Sequence, residues 1–340
     1  MNAKERVTIK DVAHMAAVSP TTISRFLNHH ISLPPDTAAR IKHAVDKLGY
    51  RPNQLARNLS RGQSGMIGLV TPDIANPFFA QLASAAAEEA SAHGFHILLC
   101  STQNDPQKEL AYLQLLDTRQ LDGLVVLTSC AANETLGGYV SARSQVVLID
   151  EDANVPGVPK VFVENQGGGH LATQYLIAHG HQRIAHIGGP KFIFSAKERF
   201  AGYAAALTEH NLPLDSSLTL FGLYTDAFGQ EAANHLLDLP EPPTAIFAAS
   251  DYVALGVLRA LQKRGLSVPR DLSLVGFDDI ALASLLQPAL TTIRQPIDQL
   301  GQEGVKLLVS MLSADSKPKP QVQRLPVTLV ERDSVRALLA

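Results

Sequence analysis

In the first fifty residues the apolar positions recur at helical spacing in three short bursts. Ile9, Val12, Ala13 and Ala16 form the first stripe, with Thr8 placed to cap it; Ile23, Phe26 and Leu27 form the second, with Ser19 as N-cap and Pro20 in the first turn. Only Ala17, Val18 and Ser19 separate them, which is the spacing of a helix-turn-helix with Val18 as an apolar plug. A third burst, Ile41, Ala44, Val45 and Leu48, is opened by Pro34 and Pro35 and closed by Gly49, a residue suited to a left-handed helix end. Arg51 and Pro52 break the pattern. Residues 53–61 then offer one more short helix with little to bury, marginal by itself.

From Met66 the period changes. MIGLV, HILLC, GLVVL, VVLI, VFV, RIAHI, LTLFG, AIFAA and SLVGF read as buried strands, and segments such as 78–93 and 251–264 between them read as amphipathic helices, so parallel α/β sheets are predicted. The order also repeats: Ile67 to Ile184 is 117 residues, Val125 to Ile246 is 121 and Leu148 to Val275 is 127. Two similar lobes follow. Their ligand belongs where the strand C-termini of both face a shared cleft.

Composition adds two constraints. The chain has 340 residues, 46% hydrophobic and 18% charged, enough for a large core, and no apolar run approaches the roughly 18 residues of a membrane span. The charged start MNAKERVT lacks the apolar stretch of a signal peptide, so a cytoplasmic location without membrane attachment is expected. Cys100 and Cys130 lie far apart in apolar segments, as buried free thiols do. The net charge of −3 hides an asymmetry: residues 1–63 hold ten Lys/Arg against four acids, +6, which leaves −9 for the remainder. A solubilising tail satisfies that charge alone, but the helical patterning beneath it favours a module for a polyanion. The exposed face of the second helix, SPTTISRFLN, carries Pro20, Thr21, Thr22, Ser24, Arg25 and Asn28, short polar groups and one guanidinium able to pair with guanine O6 and N7.

Catalytic signatures are missing: GxxxxGK[ST], GxGxxG after a strand, GxSxG and HExxH do not occur, and the glycines at 167–169 and 188–189 lack phosphate-loop spacing. His179 and His181 read as cap and surface residues rather than metal ligands. Neither enzyme activity nor a cofactor or metal is expected.

VTIKDVAHMAAVSPTTISRFLN, the third helix ending LGYRPN, and LARNLSRGQSGMIG resemble the DNA-binding head and hinge of LacI/GalR-type bacterial repressors. The resemblance continues through NPFF, LDGLVVL, LATQYLIAHGHQRIAHIGGP, ERFAGY, SDYVALGVLRAL, VPRDLSLVGFDD and ALTTIRQP, and its spacing is nearest to the ribose and purine repressors. It implies a three-helix helix-turn-helix domain (1–52), a hinge helix and linker (53–64), and a two-lobed, periplasmic-binding-protein-like sensor with two parallel sheets. The first lobe is placed at 65–162 and 293–320 and the second at 163–292 and 321–334, with crossovers near 161–163, 289–294 and 319–322.

The resemblance also implies site residues. Thr8, Ser19, Pro20, Thr21, Thr22, Arg25 and Asn28 would meet double-stranded operator DNA, as would Asn53, Ala56, Arg57 and Leu59 of the hinge, where the exposed leucine wedges into the minor groove. In the sensor, Asn76, Phe78, Asp150, Ser195, Lys197, Arg199, Tyr224, Ser250 and Asp278 would contact a small effector. Carboxylates and a guanidinium suit paired hydroxyls, and a Phe or Tyr ring suits a sugar face, since the chain has no Trp. The stretch KFIFSAKER departs from the family pattern, and its extra cation, Lys197, suits an acidic sugar such as a gluconate derivative as well as a neutral pentose or hexose. The expected function is a ligand-responsive repressor of carbohydrate genes acting as a homodimer on a pseudo-palindromic operator. The competing reading is a sugar-binding protein or enzyme with an accessory head. The terminal VRALLA is too short for a coiled coil, so a dimer held by the lobes is expected.

Overall fold

The computed structural model describes residues 7–27, 31–50, 63–128, 134–141, 143, 145–313 and 321–338. The chain divides into two compact units, Met1–Ser64 and Gly65–Ala340.

In the first unit, α1 (Ile9–Ala16), α2 (Pro20–Leu27) and α3 (Pro35–Leu48) enclose Val12, Ala13, Ala16, Ile23, Ile41 and Ala44, with Val18 packed against them as the plug. Ala17 ends α1 in the left-handed conformation at φ 50°, and Gly49 ends α3 at φ 60°. Ala17 turns the chain within three residues, which is what sets α2 across α1.

The second unit opens with β1 (Met66–Thr71), α4 (Pro77–Ala92), β2 (His96–Ser101), α5 (Pro106–Leu113), β3 (Gly123–Val126), α6 (Glu134–Ser141), β4 (Val146–Ile149) and β5 (Lys160–Val163). There follow α7 (Asn165–Ala178), β6 (Ile184–Gly188), α8 (Phe194–Glu209), β7 (Thr219–Phe221), α9 (Asp226–Leu237), β8 (Ala245–Ala248), α10 (Asp251–Lys263), β9 (Ser273–Asp278), β10 (Thr291–Arg294), α11 (Ile297–Ser313), β11 (Val322–Leu325) and β12 (Thr328–Val330). Among the described residues these make two six-stranded sheets, β11-β5-β4-β3-β1-β2 and β12-β10-β9-β8-β6-β7. All pairings are parallel except that of β10 with β12. The strands that hold the sequence repeats, β1 with β6, β3 with β8 and β4 with β9, occupy the same place in each sheet. Continuous apolar runs such as GLVV and AIFA are buried throughout because helices cover both faces of each sheet.

Between the lobes the chain crosses after β5, between β10 and α11, and between β11 and β12. One boundary differs from the sequence expectation. The sequence expectation places residues 321–334 whole in the second lobe, but Val322–Leu325 pairs in parallel with Lys160–Val163 in the first sheet. Likewise Thr291–Arg294 pairs with β9 throughout, so the lobe change that sequence placed at 293 follows Arg294. A short strand whose exposed and buried residues alternate carries no mark of the sheet it will join, so periodicity alone could not assign it.

Of the glycines at 167–169, Gly168 and Gly169 serve packing. A Cβ at Gly169 would stand 2.2 Å from the Arg199 carbonyl oxygen, and one at Gly202 would stand 2.0 Å from that of Gln166. Only hydrogen at both positions lets α7 and α8 meet backbone to backbone, and this contact fixes the helix that carries Ser195 and Arg199. Gly202→Ala is expected to cost about 1–3 kcal/mol in urea unfolding of the sensor unit.

Candidate functional site

On the first unit the candidate surface is the exposed side of α2. Pro20, Thr21 and Arg25 are exposed there, and no carboxylate of the described residues pairs with Arg25. Ser19 Oγ accepts the Thr22 amide at 3.1 Å and lies 2.8 Å from Thr22 Oγ1, so these two hydroxyls hold the helix start while facing solvent. Thr8 is also a helix-start residue: its amide and hydroxyl both donate to Asp11 Oδ2 at 2.7 Å. Asn28, Asn53, Ala56, Arg57 and Leu59 lie outside the described residues.

On the sensor unit the strand C-termini converge on a cleft of about 250 Å³, just below the roughly 300–1,000 Å³ of small-molecule sites. Of the residues expected there, Asn76, Phe78, Asp150, Ser195, Arg199, Tyr224, Ser250 and Asp278 all line it. Asn76 and Ser250 cap α4 and α10, accepting the Phe78 amide at 3.0 Å and the Val253 amide at 3.1 Å, so two helix N-termini open at the cleft. Phe78 meets Phe79 edge to face at 5.2 Å, and with Tyr224 and the half-exposed Phe192 these rings supply apolar walls.

Asp150 follows β4 at φ 64°, and Asp278 ends β9 at φ 121° with Asp279 after it at φ 59°. Such backbone is costly outside glycine, and here the fold holds it in place. Asp279 is clamped by Arg294 Nε and Arg332 Nη2, each at 2.6 Å, which fixes the turn that presents Asp278.

Arg199 is the buried cation of the site. Its Nε donates to Asn165 Oδ1 at 2.8 Å and its Nη1 to the Ala249 carbonyl at 2.7 Å, while its guanidinium lies 3.8 Å from the Phe277 ring centroid. Asp278 Oδ1 stands 3.8 Å from Arg199 Nη1, beyond direct hydrogen bonding, and accepts from Gln295 Nε2 at 2.6 Å. Donor and acceptor thus sit side by side with room for a hydroxyl to join both. Burial would depress Arg199, but Tyr224, Asp278, Asp150 and Glu151 hold its pKa above the ordinary value.

Lys197 is the exception among the expected residues. Ser195 and Arg199 are four apart on α8 and share its cleft face; Lys197 is two residues from each, about 200° round the helix, and is exposed to solvent. The extra cation expected from sequence is therefore absent from the cleft. Glu151 and Gln295, both buried cleft residues, were not anticipated. The signal available for each was position: Glu151 adjoins Asp150 after β4, and Gln295 directly follows β10. His181 is another correction, since it is buried, bridging Thr244 Oγ1 at 2.9 Å and the Arg336 carbonyl at 3.1 Å, rather than a surface residue.

Burial pushes the Asp278 carboxyl up to about 7, against the pull of Arg199 and Gln295. Burial and then the neighbouring Asp150 push Glu151 up to about 8, and burial raises Asp150. An acid raised on folding stabilises the fold while protonated, and that contribution is lost as pH rises towards the folded value. The thermal midpoint of the protein is expected to fall between about pH 5 and pH 8, and Glu151→Gln to flatten the fall in scanning calorimetry.

A helix-turn-helix head and a two-lobed sensor with a polar cleft define a ligand-sensing DNA-binding regulator. Residues 8–53 match the family described as bacterial regulatory proteins, lacI family, and residues 173–335 match the periplasmic binding protein-like domain. The ribose operon repressor of Halalkalibacterium halodurans is 36% identical over 330 residues, 97% of either chain. A lac repressor dimer bound to operator superposes with a TM-score of 0.87 at 28% identity, covering 98% of this chain and 100% of that one. A LacI family regulator from Enterococcus faecium with bound ribose superposes at 0.73 with 30% identity, covering 81% of this chain and 100% of that one. The chain belongs to the LacI family, and it is a DNA-binding transcriptional repressor, not an enzyme. Among the described residues no helix is long and apolar enough to cross a membrane, and no His, Cys, Asp and Glu cluster is arranged to hold a metal.

Proposed function

We propose that the protein represses carbohydrate genes as a homodimer and that its effector is a neutral, polyhydroxylated molecule of monosaccharide size. The observation that carries the effector class is the cleft lining: Asp150, Glu151 and Asp278 surround a single guanidinium, and no lysine is among the described residues that line it. Hydroxyl groups, able to donate and to accept, suit these carboxyl groups in either protonation state, whereas the carboxylate of a gluconate-type acid would find Arg199 as the one cation among four acidic lining residues, Asp73 included. The relative with bound ribose and the ribose operon repressor support the same class. The dimer is supported by the operator-bound relative and by apolar side chains left uncovered in both lobes: Leu98 and Leu99 on the edge strand β2, and Leu282 and Leu285, the last 75% exposed.

A thermal-shift panel of neutral pentoses, hexoses and their aldonic acids tests the effector class. A neutral sugar at about 100 times its Kd is expected to add about 2.7 kcal/mol to the folded state. Stabilisation by an aldonic acid alone would overturn the assignment. Light scattering is expected to give two chains, and a particle of one or four would contradict the dimer.

A further inference from the structure

Helix α8 has no cap of its own. Its N-cap residue is Ile193, which offers no side-chain acceptor, and its first turn carries no acid. The acceptor comes from the other lobe. Glu151, just past β4, accepts the Ser195 amide at 3.0 Å on Oε2, and its Oε1 is hydrogen-bonded to Ser195 Oγ. Ser195 is the second residue of α8, where an N-cap side chain ordinarily takes the amide, and the positive end of the helix favours the acidic group. Glu151 is 6% exposed and Ser195 1%. Two further contacts between the lobes lie on the same helix: Arg324 of β11 donates to Glu198 at 2.7 and 3.0 Å, and Phe162 of β5 packs on Phe194 at 4.8 Å.

We propose that Glu151 caps α8 in trans, so that this one carboxyl group both completes a helix in the opposite lobe and latches the cleft at the angle the structure shows. Separating the lobes would strip α8 of its cap and expose Glu151 at the same moment, which makes the lobe angle a two-state property rather than a continuous one. Asp150 and Arg199 face the same carboxyl, and Ser195 Oγ lies 3.4 Å from the Tyr224 hydroxyl, so the latch adjoins the groups that would hold an effector. Glu151 is on this account a positioning residue. That the latch bears on operator binding rests on the proposed effector reading; the latch itself does not.

Hydrogen exchange followed by mass spectrometry on the full chain, without DNA or sugar, tests it. In Glu151→Ala, peptides covering 150–155 and 193–199 are expected to exchange together about tenfold faster, the scale of a lost helix cap, while peptides of α11 keep their parental rates. Glu151→Gln keeps a carbonyl acceptor and is expected to stay within about twofold of the parent. Ser195→Ala removes one of the two bonds and is expected to fall between, which keeps the question answerable if Glu151→Ala does not fold. Parental exchange at 193–199 in Glu151→Ala, Glu151→Gln as fast as the alanine variant, or uniform acceleration throughout the chain would each overturn the latch.

Discussion

Operator affinity is expected to fall by about 10³- to 10⁵-fold as salt rises from about 50 to about 200 mM. The head unit exposes Lys10, Arg25, Arg40, Lys42 and Lys47 around its small core, and Arg51, Arg57 and Arg61 follow in the sequence. Each phosphate that such groups neutralise releases counterions and adds about 0.9 to the logarithmic salt slope. Three to five contacts from each head of a dimer give six to ten in all, which sets the range. Fluorescence anisotropy of the gene's upstream DNA across a salt series measures the slope directly, and a slope near zero would contradict the nucleic-acid surface. Within that surface Arg25→Ala should relax sequence preference, since its guanidinium stands exposed on α2, while Arg57→Ala should weaken all sequences alike.

The second large effect is expected at the cleft. Asp278→Ala should weaken effector binding by about 10- to 150-fold, the range of a lost hydrogen bond to a charged group, and leave operator affinity without effector at the parental level. The carboxyl is held by Gln295 on one side, and on the other its 3.8 Å spacing from Arg199 leaves room for a hydroxyl to bridge donor and acceptor. Arg199 would keep Asn165 and the Ala249 carbonyl, so the variant should fold. Isothermal titration with whichever neutral sugar the panel identifies reads the affinity in the absence of DNA. Parental affinity in Asp278→Ala would remove Asp278 from the effector site.

The helix-turn-helix was legible because local signals agreed: stripe, cap and turn residues all fell within thirty positions, and Ala17, Val18 and Ser19 left one way to connect the helices. The two sheets were legible because buried parallel strands read as unbroken apolar runs, and their repetition exposed the second lobe. What sequence did not show was contact between distant segments. Arg324 and β11 join the first sheet through a pairing of edges 162 residues apart, from Lys160 to Val322, for which a strand pattern gives no address. Glu151 carries no mark in the sequence because its meaning depends on α8, and Lys197 enters the expected site as the extra cation by which KFIFSAKER departs from the family pattern, two residues from Arg199. Helical geometry sends the two in opposite directions.

The proposed coupling is that occupancy of the sensor cleft sets the affinity of the head for DNA. Its most direct test is the anisotropy of labelled upstream DNA at fixed salt while a neutral pentose or hexose is titrated, with the corresponding aldonic acid as comparison. A coupling of about 1–3 kcal/mol between the sites predicts a shift in operator affinity of roughly 5- to 150-fold with the neutral sugar. Operator affinity unchanged at saturating concentrations of a sugar already shown to bind the cleft would contradict it.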